Sequence, residues 1–186
     1  LPADSSLRKS VVILNPLGED TSVMRTIVVP SMMEVLSRNY NNRNASASLY
    51  ELANEYIPVE GQELPDEKPV ITIGQYGESH DFFSLKGIIE NLLSVLGITD
   101  LAVQAESEIP YYHPGRCAKI FTGETELGTL GEIHPQVAEN YGVDTRVYVA
   151  RLSCDALFQA RCNEKEYHPL PKFPAIIRDL ALLCDD

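Results

Sequence analysis

The sequence predicts an α+β fold in which an antiparallel β-sheet is flanked by helices. Short β-branched segments follow one another with few helices between them, which favours antiparallel pairing over a doubly wound parallel sheet. Two segments with apolar residues at helical spacing supply helices that can cover such a sheet. The 186 residues, 44% hydrophobic and 23% charged, suffice for a compact core and argue against disorder.

The strand candidates share β-branched residues or alternating apolar residues. They are residues 9–14, 48–57, 70–76, 101–105, 117–121, 127–133 and 147–152. The periodicity of residues 48–57 also fits a helix, and we interpret the segment as a strand that Pro58 ends. The polar, proline-rich residues 59–69 predict a loop, and the tight turn at residues 122–125 predicts a hairpin.

The first helix follows Pro30, whose fixed φ suits a first helical turn and whose missing N–H costs nothing there. We expect it to end in the asparagine-rich residues 39–44. Its apolar stripe must be buried against the sheet or against another chain. The stripe consists of Met32, Met33, Leu36 and Tyr40.

The second helix, residues 81–96, has the broadest apolar face in the sequence. Asp81 is a good N-cap because its carboxylate can accept from unpaired first-turn N–H groups, and Gly97 supplies the stop. A third, short helix opens at His134-Pro135 and closes at Gly142.

The net charge of −12 should repel a phosphate backbone, so RNA binding would need a local basic patch or a partner. No apolar run reaches the roughly 18–20 residues of a membrane span, and no secretory signal is visible, so we expect a cytoplasmic protein. The first residue is not Met, and we expect a piece of a longer protein. The cysteines form no CxxC pair and are interpreted as small buried thiols; they are Cys117, Cys154, Cys162 and Cys184.

The sequence contains no recognisable catalytic, cofactor-binding or metal-binding pattern. Three histidines precede prolines, at His113, His134 and His168. Their spacing places no two of them on one helical face, so we predict turn and cap roles. Arg116, beside His113-Pro114-Gly115, is either a candidate anion site or an exposed turn arginine.

Six segments, taken in order, resemble the bacterial phenylalanyl-tRNA synthetase beta subunit family. They are NPLGEDTSVMRTIVVPSMMEVLSRNYNNR (15–43), LYELANEYIP (49–58), DFFSLKGIIENLL (81–93), YHPGRCAKI (112–120), LGTLGEIHPQVAENYGV (127–143) and KFPAIIRDLAL (172–182). The resemblance implies a class II aminoacyl-tRNA synthetase-like core over residues 1–166. It also implies that residues 167–186 are a linker and the first strand of a truncated ferredoxin-like anticodon-binding domain.

Of the three class II signatures, only the interface signature is intact. It matches residues 25–39, and the subunit interface it implies consists of Arg25, Pro30, Met32, Met33, Leu36 and Tyr40. The second signature keeps Glu51 but has Ser48 and Leu49 where its arginine is expected. The third, at residues 147–158, lacks its glycine and does not place Arg151 at a helix start.

These losses imply that ATP chemistry is gone and leave Glu51, His113 and Arg116 as a candidate vestigial site. The resemblance implies a non-catalytic domain that docks the alpha subunit of an α2β2 phenylalanine-tRNA ligase, with ATP and Mg bound elsewhere and tRNA reached through the holoenzyme. The isolated chain could self-dimerise. The alternatives are a catalytic ligase domain and a paralogue that binds an amino acid as a regulatory module.

Overall fold

A computed structural model describes residue 2, residues 5–162, residues 178–179 and residue 181. These residues form a six-stranded sheet with four α-helices and two short 3-10 turns. In chain order the helices and strands are α1 Val29–Asn41, β1 Ala47–Ile57, β2 Asp66–Tyr76, α2 Phe82–Val95, β3 Ala102–Glu106, β4 Tyr112–Thr122, β5 Thr125–Ile133, α3 Pro135–Asn140, β6 Val147–Ser153 and α4 Cys154–Ala160.

The sheet has the strand order β1-β2-β6-β5-β4-β3, and every neighbouring pair is antiparallel. The hairpin β1–β2 and the meander β3–β4–β5 are two separate segments of the chain, with α2 between them. The last strand, β6, then inserts between β2 and β5 and joins the two halves. The antiparallel α+β prediction is therefore confirmed.

Each face of the sheet has its own hydrophobic cluster. We call the side that α1 covers the α1 face; Met33 and Leu36 pack there on Tyr76 and Val149. We call the other side the α2 face, which α2 and the short α4 cover with a second apolar cluster. Each large side chain buried in these clusters contributes on the order of 2 kcal/mol to stability.

The predicted helix signals are confirmed. Pro30 lies in the first turn of α1. Asp81 and Ser84 form a capping box at α2, in which the Ser84 N–H donates to Asp81 at 2.6 Å and the Asp81 N–H donates to Ser84 at 2.8 Å. Gly97 has φ +75°, the left-handed conformation that favours glycine after a helix.

Two local predictions were wrong. Residues 9–14 form only an isolated bridge between Val12 and Val23, because β-branched residues do not make a strand without a neighbour to pair with. The end of the predicted loop 59–69 belongs to β2. Pro69 is tolerated there because the described pairing of β2 with β6 begins only at Val70.

The helix α4 was not predicted, since residues 147–158 resemble one extended segment until Ser153 caps a helix. Cys117 is buried, but Cys154 is half-buried and Cys162 is exposed, so the buried-thiol interpretation holds for Cys117 alone. Cys184 and most of the proposed second domain at 167–186 lie outside the described residues. Within the described residues, no helix is long and apolar enough to cross a membrane.

The closest packing of α1 on the sheet occurs at Gly74. A Cβ there would lie 2.7 Å from Met32 Cγ and 2.8 Å from Leu36 Cδ1. We expect Gly74→Ala to destabilise the chain by about 1–3 kcal/mol, because both neighbours are buried and must shift. Gly87→Ala is the matched control: nothing lies within 4 Å of its Cβ position, and a helical alanine should stabilise by about 0.5–1 kcal/mol. Urea unfolding measures both, and an unchanged midpoint for Gly74→Ala would contradict this packing.

Candidate functional site

A row of polar residues crosses all six strands on the α1 face. Directly opposite residues of antiparallel strands project from the same face, so the strand register defines the row. It consists of Gln104, Lys119, Thr129, Arg151, Thr72 and Glu51, on β3, β4, β5, β6, β2 and β1. We call it the polar row. Its charged and polar side chains lie beside the apolar cluster of that face, and so it is the candidate site.

Arg151 lies at the centre of the polar row and pairs with Glu55 of β1. Its Nε donates to Glu55 Oε1 at 2.8 Å, and its second guanidinium nitrogen pairs with Oε2. The Glu55 side chain is 2% exposed, and the Val28 N–H donates to the same carboxylate at 3.1 Å. The hydrogen bond that Arg151 donates to Glu55 raises the pKa of Arg151. The carboxylate thus occupies the guanidinium fork that could otherwise bind a ligand carboxylate or phosphate.

The other cations of this region are also paired. Arg25 lies 3.0 Å from Glu51, and its Nε donates to the Asn54 carbonyl at 3.2 Å. Lys119 lies 3.3 Å from Glu126 and 3.5 Å from Glu106. The hydrogen bond to Glu126 and the charge of Glu126 raise the pKa of Lys119. Lys119 therefore stays protonated and paired with a carboxylate.

The rest of the site is aromatic and buried. The Tyr112 hydroxyl donates to the Val149 carbonyl at 3.0 Å. Burial raises the pKa of Tyr111 to about 12, and it raises the pKa of the Cys117 thiol to about 12 as well. Thr72, next to Arg151 in the row, is fully buried. These groups are neutral at physiological pH and unsuited to acid–base or nucleophilic work there.

The predicted interface residues lie mostly inside the chain. Met32, Met33 and Leu36 are at most 3% exposed and pack on the sheet, because the single apolar stripe of α1 is needed to cover the α1 face. Tyr40 is half-buried and meets Tyr76 edge-on at 5.8 Å between ring centroids. These side chains therefore face the chain's own core.

The predicted vestigial residues do not form one cluster. Glu51 is on β1, whereas His113 and Arg116 are on β4, and the strands β2, β6 and β5 lie between them. Arg116 is also not a turn arginine: one guanidinium nitrogen donates to both carboxylate oxygens of Glu132, at 2.8 and 2.9 Å. Glu132 is nearly fully buried on β5.

The predicted cap role of His134 is confirmed, whereas His113 lies within β4 and not in a turn. His113 Nδ1 accepts from the Gly115 N–H at 3.1 Å, and His134 Nδ1 accepts from the Gln136 N–H at 3.2 Å as the cap of α3. His168 lies outside the described residues. Among the described residues, no three His, Cys, Asp or Glu side chains are grouped to hold a metal ion.

Sequence reasoning missed the two buried carboxylates, Glu55 and Glu132. Extending the predicted hairpin register from residues 122–125 places Arg116 close to opposite Glu132, which is a signal that could have been used. No comparable local signal joins Glu55 to Arg151, since they are 96 residues apart.

The matching family model and the similar sequences indicate the same protein family. The model of the phenylalanyl tRNA synthetase beta chain CLM domain matches residues 1–154. Phenylalanine–tRNA ligase beta subunits from Clostridium tetani and Clostridium acetobutylicum are 49% and 50% identical over the whole chain. In both cases the chain spans 24% of the relative's length.

Among solved structures, a pyrrolysyl-tRNA synthetase from Desulfitobacterium hafniense superposes with a TM-score of 0.66. The match covers 86% of this chain and 56% of that one at 16% identity. At this identity the likeness concerns the fold alone, which is that of a class II synthetase core.

The buried ion pair yields a stability prediction. We expect Glu55→Ala to destabilise the chain by about 3–5 kcal/mol, because it leaves Arg151 without its carboxylate in a largely buried position. The control is Glu51→Ala. Glu51 forms a partly exposed ion pair with Arg25, so its removal should lower the free energy of unfolding by less than about 1 kcal/mol. Chemical unfolding at pH 7 compares the two, and equal losses would show that Glu55 is no more than an ordinary surface partner.

The cysteine environment predicts selective reactivity. With its pKa raised to about 12 from 9.0, Cys117 should hold about a thousandfold less thiolate at pH 8 than an ordinary thiol, because each pKa unit is a factor of ten. We expect a thiol reagent to label exposed Cys162 in the native chain and Cys117 only after unfolding. Peptide mass spectrometry reads each cysteine separately, and rapid native labelling of Cys117 would contradict its burial.

Proposed function

The chain belongs to the phenylalanyl-tRNA synthetase beta chain family, and from that premise we propose that it is a non-catalytic core domain that docks the catalytic alpha subunit of a phenylalanine-tRNA ligase. One observation carries this proposal: in the described part of the chain, each cation of the polar row already has a carboxylate partner. A class II core without an available cation in the polar row is suited to structural work and not to ATP chemistry.

The argument against ATP binding is electrostatic. A triphosphate needs guanidinium or ammonium groups that can turn towards it. Arg151 is held by Glu55, and Lys119 lies between Glu106 and Glu126. The residues of the polar row therefore do not fit a triphosphate. ATP and Mg belong elsewhere in the assembly, and this domain holds no cofactor.

The surface proposed for the alpha subunit is the outer side of α1. Glu34, Val35 and Arg38 are exposed there, on the side opposite the buried stripe. The inner side chains and Pro30 hold the helix rigidly, and Arg25 ties the chain before it to β1. A rigid helix loses little conformational freedom on binding, which favours a stable interface.

The assembly proposed here joins phenylalanine to its tRNA in the cytoplasm. The net charge of −12 disfavours broad contact with the tRNA backbone, so most tRNA contacts are expected on other parts of the holoenzyme. An interface with the alpha subunit explains how so acidic a domain serves a tRNA enzyme.

Calorimetry with Mg·ATP tests the loss of nucleotide binding. We expect no saturable heat at millimolar nucleotide, because the cations of the polar row are neutralised. Tight ATP binding, or pyrophosphate exchange that depends on phenylalanine, would instead support a catalytic domain. A thermal shift with a free amino acid and no complex with the alpha subunit would favour a regulatory paralogue.

The alpha-subunit interface is tested by mixing the two chains and measuring the mass of the complex by light scattering. We expect Val35→Asp to weaken the complex by about tenfold or more, because it places a charge at a desolvated contact. Val95→Asp on α2 is the control: this valine is also exposed but lies on another helix.

Two results would contradict this placement of the interface. One is an equal loss of affinity in both variants. The other is a self-dimer of this chain that persists when the alpha subunit is added.

A further inference from the structure

A cleft lies at one end of the sheet, apart from the polar row. It has a volume of about 930 Å³ and forms where β5 ends, α3 passes and β6 begins. Glu132 is part of its lining. Glu132 is directly opposite Tyr148, a member of the α2-face cluster, whereas Ile133, Ala138 and Val143, which also line the cleft, belong to the α1-face cluster. The cleft therefore lies at the end of the sheet, and none of its lining residues belongs to the polar row.

Two arginines of the cleft are anchored but keep unused donors. Arg116 gives a single nitrogen to both oxygens of Glu132, and Arg146 Nε lies 3.9 Å from the same carboxylate. Within the described residues, the remaining guanidinium N–H groups of both side chains have no hydrogen-bond partner. The side chains are 44% and 67% exposed, so these donors are open to a ligand.

Two histidines line the same cleft and also present unused donors. His113 Nδ1 and His134 Nδ1 each accept from a backbone N–H. An imidazole whose Nδ1 accepts must carry its proton on Nε2. In the part of the chain that the structure describes, neither Nε2 has a protein partner, so each ring can donate one further hydrogen bond.

We propose that this cleft binds a single anionic group, a phosphate or carboxylate of a small molecule, through Arg116, Arg146, His113 and His134. Glu132 is a positioning residue: its buried carboxylate holds the two guanidinium groups on one side of the cleft. Charge-assisted hydrogen bonds of this kind are roughly twice as strong as neutral ones.

The neighbouring charges limit the ligand to one anionic group. Glu139 and Asp144 also line the cleft, and the chain as a whole carries −12. A polyanion such as RNA would meet these carboxylates as soon as it extended beyond the arginines. A small ligand with one phosphate or carboxylate avoids them.

The test is an NMR titration of the full chain with inorganic phosphate and, separately, with acetate at constant ionic strength. We expect saturable shifts of the His113 and His134 ring signals with at least one of the two anions. A stronger response to phosphate assigns a phosphorylated ligand, and a stronger response to acetate assigns a carboxylate. Either response supports the site.

Arg146→Gln is the informative variant, because its exposed side chain can be changed without leaving Glu132 unpaired. We expect it to weaken anion binding about fivefold to tenfold. Arg43→Gln removes an equal charge from an exposed position after α1 and should change binding less than twofold. Circular dichroism checks that both variants fold.

Three results would overturn the proposal. The first is the absence of saturable histidine shifts with both anions. The second is an equal effect of Arg146→Gln and Arg43→Gln. The third is a twelve-nucleotide RNA that binds these residues more tightly than phosphate does, which would assign the cleft to a polyanion.

Discussion

The ion pair between Arg151 and Glu55 is the interaction on which the rest of the structure depends. It spans β2 to join the central strand β6 to the edge strand β1. The same carboxylate accepts from Val28 at the start of α1, so it also positions the helix on the sheet. A buried pair of this kind need not add net stability, but it strongly disfavours arrangements that separate its partners. In this chain it also neutralises the arginine at the centre of the polar row. One contact therefore helps to specify the fold and removes a candidate ligand site.

The two sides of α1 have different tasks, and the packing of the inner side explains why. Met32, Met33 and Leu36 fill the space above Gly74 and the neighbouring strands. The apolar stripe of α1 is thus used within the chain, and the outer side of α1 that we propose for the alpha subunit is polar and mixed. A mixed surface is typical of interfaces outside their central core. The segment that resembles the family's interface signature therefore stabilises the fold of this chain. Pro30 starts α1, and Met32 and Met33 pack it on the sheet.

The cations of the polar row and its surroundings have carboxylate partners, whereas two arginines of the cleft keep donors available to a ligand. On the α1 face, Arg151, Arg25 and Lys119 each have a carboxylate partner. In the cleft at the end of the sheet, Arg116 and Arg146 share Glu132 and retain open donors. Burial makes an unmatched charge costly, whereas water makes it tolerable. The same residue type therefore acts as a structural element in one place and as a candidate ligand contact in the other.

The amino-acid sequence by itself determined α1, α2, α3 and the six strands of the sheet, because caps, prolines and apolar periods are local signals. It also indicated the family through its ordered motifs. The partner of Arg151 was decided only by the tertiary structure, whereas the hairpin register already brings Arg116 near Glu132. For Arg151 and Glu55 the reason is physical: β6 inserts between strands that precede it by many residues, and no local pattern encodes which carboxylate that insertion brings into reach. Only the tertiary structure showed that the chain's own sheet covers the methionine stripe of α1. The sequence of an amphipathic helix does not reveal whether its own sheet or another chain will cover it.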